Sequence, residues 1–186
     1  MPIRNKNIKL AKKYGAKILY FKHLPKTHQY ALIQYMVVNG EAWDVSDALA
    51  NSFDECHKIR GKSPYEKEKA ILKKAFRKSL SFYIEKYGNW KFGMVDIPTK
   101  VMIKAVMQER DVKKDFESWK AYHQWYLDFG KTRHPRKNRW PSILSSFDDE
   151  IIQDGWHRFH CYAGRGDSTI PCIFYPENCE PKKKIA

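Results

Sequence analysis

The segment Asp154-Gly-Trp-His-Arg158 joins an apolar run to an aromatic, basic stretch, and its residue types suit the binding of a phosphate group. A glycine at the end of a strand lets the backbone turn sharply and lets a phosphate come close. The N–H groups and the positive end of a following helix attract anions. Arg158, one helical turn further on, could add a bidentate, charge-assisted hydrogen bond. We therefore expect Gly155, Trp156, His157 and Arg158 to bind phosphate.

The same segment also fits a purely structural turn. Arg158 would then form a salt bridge with one of the acidic residues that precede it, Asp148, Asp149 or Glu150. His157 allows two interpretations as well. Its reference pKa of about 6.5 suits a proton shuttle or a phosphate donor, but the ring could equally pack against the neighbouring tryptophan.

A second group of residues with chemical potential lies in the segment GKTRHPRKNRW, where five cations precede Trp140. A flexible basic loop beside an aromatic ring suits a phosphate backbone and an unstacked base. A solvated connector between two elements explains the same composition. The candidate nucleic-acid-binding residues are Lys131, Arg133, Arg136, Lys137 and Arg139.

A zinc site must also be weighed, because histidines and cysteines cluster after residue 156. Structural zinc sites usually show paired ligands at short, regular spacing, which His157, His160 and Cys161 followed by isolated cysteines do not provide. Cys172 lies in an apolar strand, where a buried thiol is ordinary. We expect no metal to be bound by these residues.

The composition bounds the possible partners. The 186 residues carry a formal net charge of +14, which favours polyanions such as nucleotides or nucleic acid. A length of this order suits one compact unit with one substantial core. The sequence contains no apolar run long enough to span a bilayer and no apolar secretory signal, so we expect a cytoplasmic protein with no membrane contact and reduced thiols.

Local patterns predict a mixture of strands and helices. Strands are expected in AKILYFKHL, as an alternating or fully buried strand, and in WPSIL, EIIQ and TIPCIFY. Helices are expected from residue 26 to Gly40, from the N-cap Ser63 to Gly88, from 115 to Gly130, and after Gly155. The segment KFGMVDIPTKVMIKAVM is expected to be strand-like with a turn. Together these elements predict an α+β fold.

Three segments resemble the ParB/sulfiredoxin superfamily over roughly residues 92–175. They are VDIPTKVMIKAVMQER, then WPSILSSFDDEIIQDGWHRFHCY with its Asp-Gly-x-x-Arg motif, and GDSTIPCIFY. The resemblance implies a mixed sheet with helices, and a strand-to-helix turn that binds nucleotide phosphates. Residues 1–91 would form a mainly helical N-terminal extension that packs on this core, and residues 176–186 a loose tail.

Departures from the family pattern decide between its chemistries. Trp156 stands where sulfiredoxins carry their catalytic cysteine, so repair of sulfinic acid is not expected. The chain ends about thirty residues after the turn, where partition-type ParB proteins continue into a helix-turn-helix domain. The Asp-Gly-x-x-Arg form is closer to members that resemble nucleotide-dependent kinases, including free-serine kinases, or phosphohydrolases.

That resemblance implies a nucleoside triphosphate or diphosphate with Mg²⁺ as the cofactor, and it suggests roles for several residues. An acidic residue near the phosphate would act as a base or hold the metal ion. Glu109 ranks first because it precedes the family-like Arg110, a further candidate phosphate ligand, and Asp154 and Glu150 are the other available carboxylates. The catalytic candidates are therefore Glu109, Asp154 and His157.

Two non-enzymatic functions stay open. A phage or mobile-element protein could use its basic face to inhibit a host nucleic-acid complex. A DNA-binding accessory protein could contact the nucleic-acid backbone without any nucleotide.

Overall fold

The computed structural model describes residues 6–38, 80, 83–130, 140–145 and 150–176. The chain divides into two compact units. The first contains Met1–Tyr20 and Lys91–Ala186, and the second contains Phe21–Trp90. In order along the chain, the elements are α1 (Lys6–Lys13), β1 (Lys17–Tyr20), a 3₁₀ turn (Phe21–His23), α2 (Lys26–Val38), β2 (Lys91–Pro98), α3 (Thr99–Val106), α4 (Arg110–Asp115), α5 (Trp119–Gly130), β3 (Ser142–Leu144), β4 (Ile152–Asp154), α6 (Trp156–Gly164) and β5 (Thr169–Phe174).

The first unit is built on a five-stranded mixed sheet in the order β1-β2-β5-β3-β4. Strand β5 runs parallel to β3, and the other neighbouring pairs are antiparallel. The longest pairing joins β2 to β5, with Val95 opposite Cys172 and Ile97 opposite Ile170. All four of these side chains are buried, because alternate residues of a strand face the same side of the sheet. The predicted α+β class is confirmed in this form.

Helices pack against the sheet and enclose one hydrophobic core. Met102 and Val106, four residues apart on α3, are fully buried with Ile97 of β2 and Phe159 of α6. The spacing of four places both α3 side chains on one helical face. Burying side chains of this size stabilises the fold by about 1.5–3 kcal/mol each, so this cluster holds α3 and α6 firmly on the sheet.

The prediction for residues 91–107 was correct for the strand and wrong for the segment after it. Strand β2 ends at Pro98, and the next eight residues form α3 instead of a second strand-like segment. Proline has no N–H to donate to a ladder, and the pairing of β2 with β5 ends at Pro98 and Thr169, where the Thr99 N–H adds a last bond to the Ser168 carbonyl at 3.0 Å. The burial of α3 against the core then outweighs the β-propensity of its valine and isoleucine.

Strand β1 is present, but it is neither alternating nor fully buried as expected. It lies at the edge of the sheet, where Ile18 is 46% and Tyr20 41% exposed. Its neighbour α1 packs through Ile8 and Ala11 into the core that contains Val95. Residues 6–20 therefore group with the C-terminal sheet.

The second unit contains α2, which confirms the helix expected after residue 26. Gln29 of this helix donates to the Phe21 carbonyl at 2.9 Å, and both residues are buried. Most of the helix predicted from Ser63 to Gly88 lies outside the described residues, although residues 83–87 are helical. The predicted tail at 176–186 also lies outside them, apart from residue 176. Of the helices within the described ranges, none is long and apolar enough to cross a membrane.

Candidate functional site

The strand-to-helix turn that the sequence predicts lies between β4 and α6. Gly155 is the N-cap of α6 and adopts the left-handed conformation, with φ 92° and ψ 25°. Its carbonyl accepts hydrogen bonds from the Phe159 N–H at 2.9 Å and from the Ser142 hydroxyl at 3.2 Å. Glycine carries no side chain that could cap the first N–H groups of α6, so the helix start has no cap of its own at this position.

Arg158 folds back over this turn and pairs with Asp154. Its Nη2 donates to the Asp154 Oδ2 at 2.6 Å, and the two side chains are 19% and 38% exposed. A Cβ atom at residue 155 would lie 2.7 Å from both Nε and Nη2 of Arg158, closer than real contacts allow. Glycine is therefore required at 155 both for its backbone conformation and for the approach of the guanidinium.

This ion pair corrects one expectation and leaves one donor without a partner. The salt bridge considered for Arg158 involved Asp148, Asp149 or Glu150, whereas its partner in the structure is Asp154, four residues earlier. The Arg158 Nε is buried and has no hydrogen-bond partner within the described part of the chain. An unpaired buried donor of this kind costs about 1–3 kcal/mol.

The two residues between the glycine and the arginine differ in their environments. Trp156 is half-buried against the hydrophobic core and meets Phe159 edge-on, with ring centroids 6.1 Å apart. Its side chain therefore contributes to packing in the core. His157 is exposed and meets the Tyr126 ring of α5 edge-on at 5.2 Å, so it lies on the outer side of the helix start.

Glu109 is attached to the strand that leads into the turn. It occupies the N-cap position of α4, and its Oε1 accepts the Ile151 N–H at 2.7 Å. Burial raises the pKa of Glu109 to about 7, although the hydrogen bond from Ile151 lowers it, and the nearby charges of Glu150 and Asp111 raise it further. A carboxyl group with this pKa is partly protonated at neutral pH and can both accept and donate a proton.

Two tyrosines of α5, Tyr122 and Tyr126, interact electrostatically with nearby titratable groups. Burial raises the pKa of Tyr122 to about 12, and the charge of Glu109 contributes to this increase. Burial also raises the pKa of Tyr126 well above its ordinary value, with smaller contributions from Tyr122, Cys161 and Asp154. The charge of Glu109 therefore acts on Tyr122, and those of Tyr122 and Asp154 act on Tyr126.

The other predicted phosphate and nucleic-acid ligands are either exposed to solvent or outside the described residues. Arg110 extends into solvent, where its Nε lies 3.4 Å from the Asp111 Oδ1 and both side chains are more than four-fifths exposed. The basic-loop residues are outside the described ranges: Lys131, Arg133, Arg136, Lys137 and Arg139. Trp140, directly after this loop, is tied to α6, because its carbonyl accepts the Tyr162 hydroxyl at 2.6 Å.

A hydrogen-bonded pair of histidines joins α5 to α6, and it was not predicted from the sequence. The Nδ1 atoms of His123 on α5 and His160 on α6 are 2.9 Å apart, and the two rings are parallel within 9°. The Trp119 ring stacks on both imidazoles, and Tyr126 stacks on His160 with centroids 3.8 Å apart. Gly164 makes room for the pair, since a Cβ there would lie 2.9 Å from the His123 Nε2.

The surroundings of the histidine pair also show where the candidate zinc ligands lie. His160, which the sequence offered as a possible zinc ligand, is fully buried in this imidazole pair, and Cys172 is fully buried in β5. Within the described ranges, the structure has no group of three or more His, Cys, Asp or Glu side chains placed to hold a metal ion. A Mg²⁺ ion brought by a nucleotide needs fewer protein ligands, often one or two carboxylates plus phosphate oxygens. Asp154 could supply one such carboxylate if it were released from Arg158.

The arrangement can therefore do two things chemically: hold an anion at the start of α6, and exchange a proton at Glu109. Neither ability is specific to one protein family. Comparisons of the chain with protein families, with curated proteins and with solved structures give no match.

Proposed function

We propose that the β4–α6 turn binds the phosphate group of a nucleotide or of a nucleic acid, with Arg158 as its main side-chain ligand. One observation carries the proposal: a guanidinium with a buried, unpaired Nε lies over a left-handed glycine at the start of a helix. Helix starts attract anions through their free N–H groups, and a guanidinium matches two phosphate oxygens. The nucleotide class comes from the resemblance of residues 92–175 to the ParB/sulfiredoxin superfamily.

Asp154 competes with the phosphate for Arg158. Its carboxylate already occupies one edge of the Arg158 guanidinium, and a phosphate must share or replace it. The pair is partly exposed, and ion pairs of this kind contribute only about 0.3–1 kcal/mol. A phosphate that also receives backbone N–H bonds can outcompete one carboxylate, because hydrogen bonds between charged groups contribute about 1.5–3 kcal/mol each.

The test is calorimetric titration of the purified protein with ATP, ADP, CTP and GTP in the presence of Mg²⁺. Arg158→Ala should weaken binding by about 10- to 100-fold, the loss of one charged hydrogen bond. Arg165→Ala is the matched control, because Arg165 lies at the other end of α6 and also pairs with a carboxylate, Asp167, at 2.6 Å. Its removal should leave the affinity unchanged.

Asp154→Asn separates the two roles of this carboxylate. Without Mg²⁺ the variant should bind phosphate more tightly, because a competing negative charge is gone. With Mg²⁺ it should bind less tightly if Asp154 holds the metal ion. A wild-type protein that binds no nucleotide, or an Arg158→Ala variant that binds one as tightly as wild type, would refute the proposal.

Glu109 favours a second function, phosphoryl transfer or phosphate-ester hydrolysis, with Glu109 as general base. Glu109 is held in place by the Ile151 N–H at 2.7 Å, and burial raises its pKa to about 7, which suits proton transfer at neutral pH. Asp154 and His157 would then assist at the turn. Release of inorganic phosphate from nucleotides tests this function: Glu109→Gln should abolish turnover and keep the binding affinity.

The same titrations address the non-enzymatic alternatives. Binding to DNA without binding to any nucleotide would favour a DNA-binding accessory protein. Binding to neither would favour a cytoplasmic interaction protein directed at a partner complex, such as a phage-encoded inhibitor of a host nucleic-acid machine.

A further inference from the structure

The N-terminal part of the chain has an unusual charge distribution. Residues 1–40 contain eight lysines and arginines and no aspartate or glutamate. Five of these cations belong to described elements of the sheet-bearing unit and are exposed to solvent. They define what we call the lysine surface: Lys6, Lys9, Lys12 and Lys13 on α1, and Lys17 on β1.

The fold holds these lysines in a fixed row. Asn7 of α1 donates to the carbonyls of Ser145 at 3.0 Å and Glu150 at 2.8 Å, which attaches the start of the helix to the β3–β4 connection. The helix ends near Gly15, after which the chain enters β1 at the opposite edge of the sheet. Helix α1 therefore crosses the sheet from the β3–β4 side to the β1 edge.

The spacing of the row suits a regularly charged polymer. A helix rises about 1.5 Å per residue, so charges three or four residues apart are separated by about 4.5–6 Å along its axis. A nucleic-acid strand presents one phosphate per about 3.4 Å of helix axis, so neighbouring lysines can reach successive or alternate phosphates. We propose that the lysine surface binds the backbone of a single-stranded nucleic acid.

Two observations select this partner from other polyanions. A basic amphipathic helix binds lipid headgroups by inserting its apolar face, but the apolar residues of α1, Ile8 and Ala11, are buried in the protein core. The helix therefore presents charge alone, which suits a polyanion in solution. Tyr20 at the end of β1 is 41% exposed with the Lys91 Nζ 5.8 Å from its ring centroid, and an exposed ring beside a cation can stack on an unpaired base.

The lysine surface is built from elements other than the β4–α6 turn, and its binding does not depend on the function proposed for that turn. A nucleotide held at Arg158 and a strand held along α1 would be separate ligands. Loss of one activity would leave the other intact.

The experiment compares two variants of the full-length chain that remove the same charge. The first variant changes lysines 9, 12, 13 and 17 of the lysine surface to glutamine. The control variant changes four exposed lysines of α3, α4 and α5 to glutamine. Fluorescence anisotropy with a labelled single-stranded 20-mer, in DNA and RNA forms, measures affinity from 50 to 200 mM salt. Circular dichroism and thermal melting establish that both variants are folded. The variants are Lys9→Gln, Lys12→Gln, Lys13→Gln, Lys17→Gln and, as control, Lys104→Gln, Lys113→Gln, Lys114→Gln, Lys120→Gln.

The first variant should lose at least about tenfold in affinity, and its salt slope should fall by about 3, whereas the control should stay within about threefold of wild type. Arg158→Ala should bind the strand as wild type does, which separates this surface from the turn. Tyr20→Leu should weaken binding to the single strand more than to a duplex of the same length.

Equal losses in the two lysine variants would overturn the proposal, because net charge alone would then explain binding. Equal effects of Tyr20→Leu on strand and duplex would overturn the assignment to single strands. Sedimentation with phosphatidylglycerol vesicles in the absence of oligonucleotide binding would overturn it in favour of a lipid surface.

Discussion

Replacing Glu109 by glutamine should make the protein more stable at alkaline pH and have a much smaller effect on its stability at pH 5. The glutamine keeps an oxygen that can accept the Ile151 N–H, now 2.7 Å from Oε1, and removes the partly buried charge. The folded-state pKa of about 7 lies above the ordinary value of 4.5. Between these values the folded protein keeps a proton that the unfolded chain releases, so this stability is present below about pH 4.5 and lost as the pH rises through about 7.

The magnitude can be worked from the same shift. A change in pKa from 4.5 to about 7 corresponds to at most about 3 kcal/mol, and the partial exposure of Glu109 reduces the expected effect to about 1–2 kcal/mol. Urea unfolding at pH 5 and pH 8 measures it, and Glu109→Gln should gain that amount relative to wild type at pH 8. Glu117→Gln, at an exposed position, is the control and should change little at either pH. An equal stability difference for Glu109→Gln at both pH values would refute the reasoning.

Three further predictions concern the helix α6 and its surroundings. Gly155→Ala should lower the free energy of unfolding, measured in urea, by about 2 kcal/mol, because an alanine at φ 92° is strained and its Cβ would displace Arg158. Gly155→Asn should lower it less, because asparagine tolerates the left-handed conformation better than alanine does. Burial lowers the pKa of His123, so as the pH falls the unfolded chain takes up a proton at a higher pH than the folded protein does. Thermal stability should therefore decrease below about pH 6.5, and His123→Gln should make this decrease smaller. Gly164→Ala should lower stability by about 1–3 kcal/mol by pushing His123 from His160, and a neutral result would contradict the close contact.

The sequence predicted most elements of the sheet because their signals are local. Strands β3, β4 and β5 are short apolar runs bounded by turn residues, and each lies where the pattern placed it. Helix α3 was missed because its residues include valine and isoleucine, whose β-propensity is overridden when Met102 and Val106 are buried on one face. Strand β1 is exposed because it lies at the edge of the sheet. The order of the strands determines this position, and the local sequence of β1 does not indicate it.

The candidate site was predictable to the extent that it is contiguous in sequence. A strand, a glycine and a helix start can be recognised within five residues, and Gly155 has the left-handed conformation that this geometry favours. Arg158 pairs with Asp154 across the turn, from the first turn of α6 back to the end of β4, whereas only the carboxylates at 148–150 were expected as partners from the sequence. The bond between His123 and His160 joins residues 37 positions apart, and neither has a neighbour in sequence that indicates the other.

The short helix α6 explains how the turn could exchange partners without a change of fold. Phe159, His160 and Tyr162 are all buried, and fully burying an apolar side chain such as that of Phe159 contributes about 1.5–3 kcal/mol. The ion pair of Arg158 with Asp154 contributes less than about 1 kcal/mol because both side chains reach solvent. A phosphate that draws Arg158 from Asp154 therefore disrupts the weakest of these contacts and leaves the helix anchored to the core. The anion would meet a helix start that is already in place, so little of its binding energy would be spent on ordering the protein.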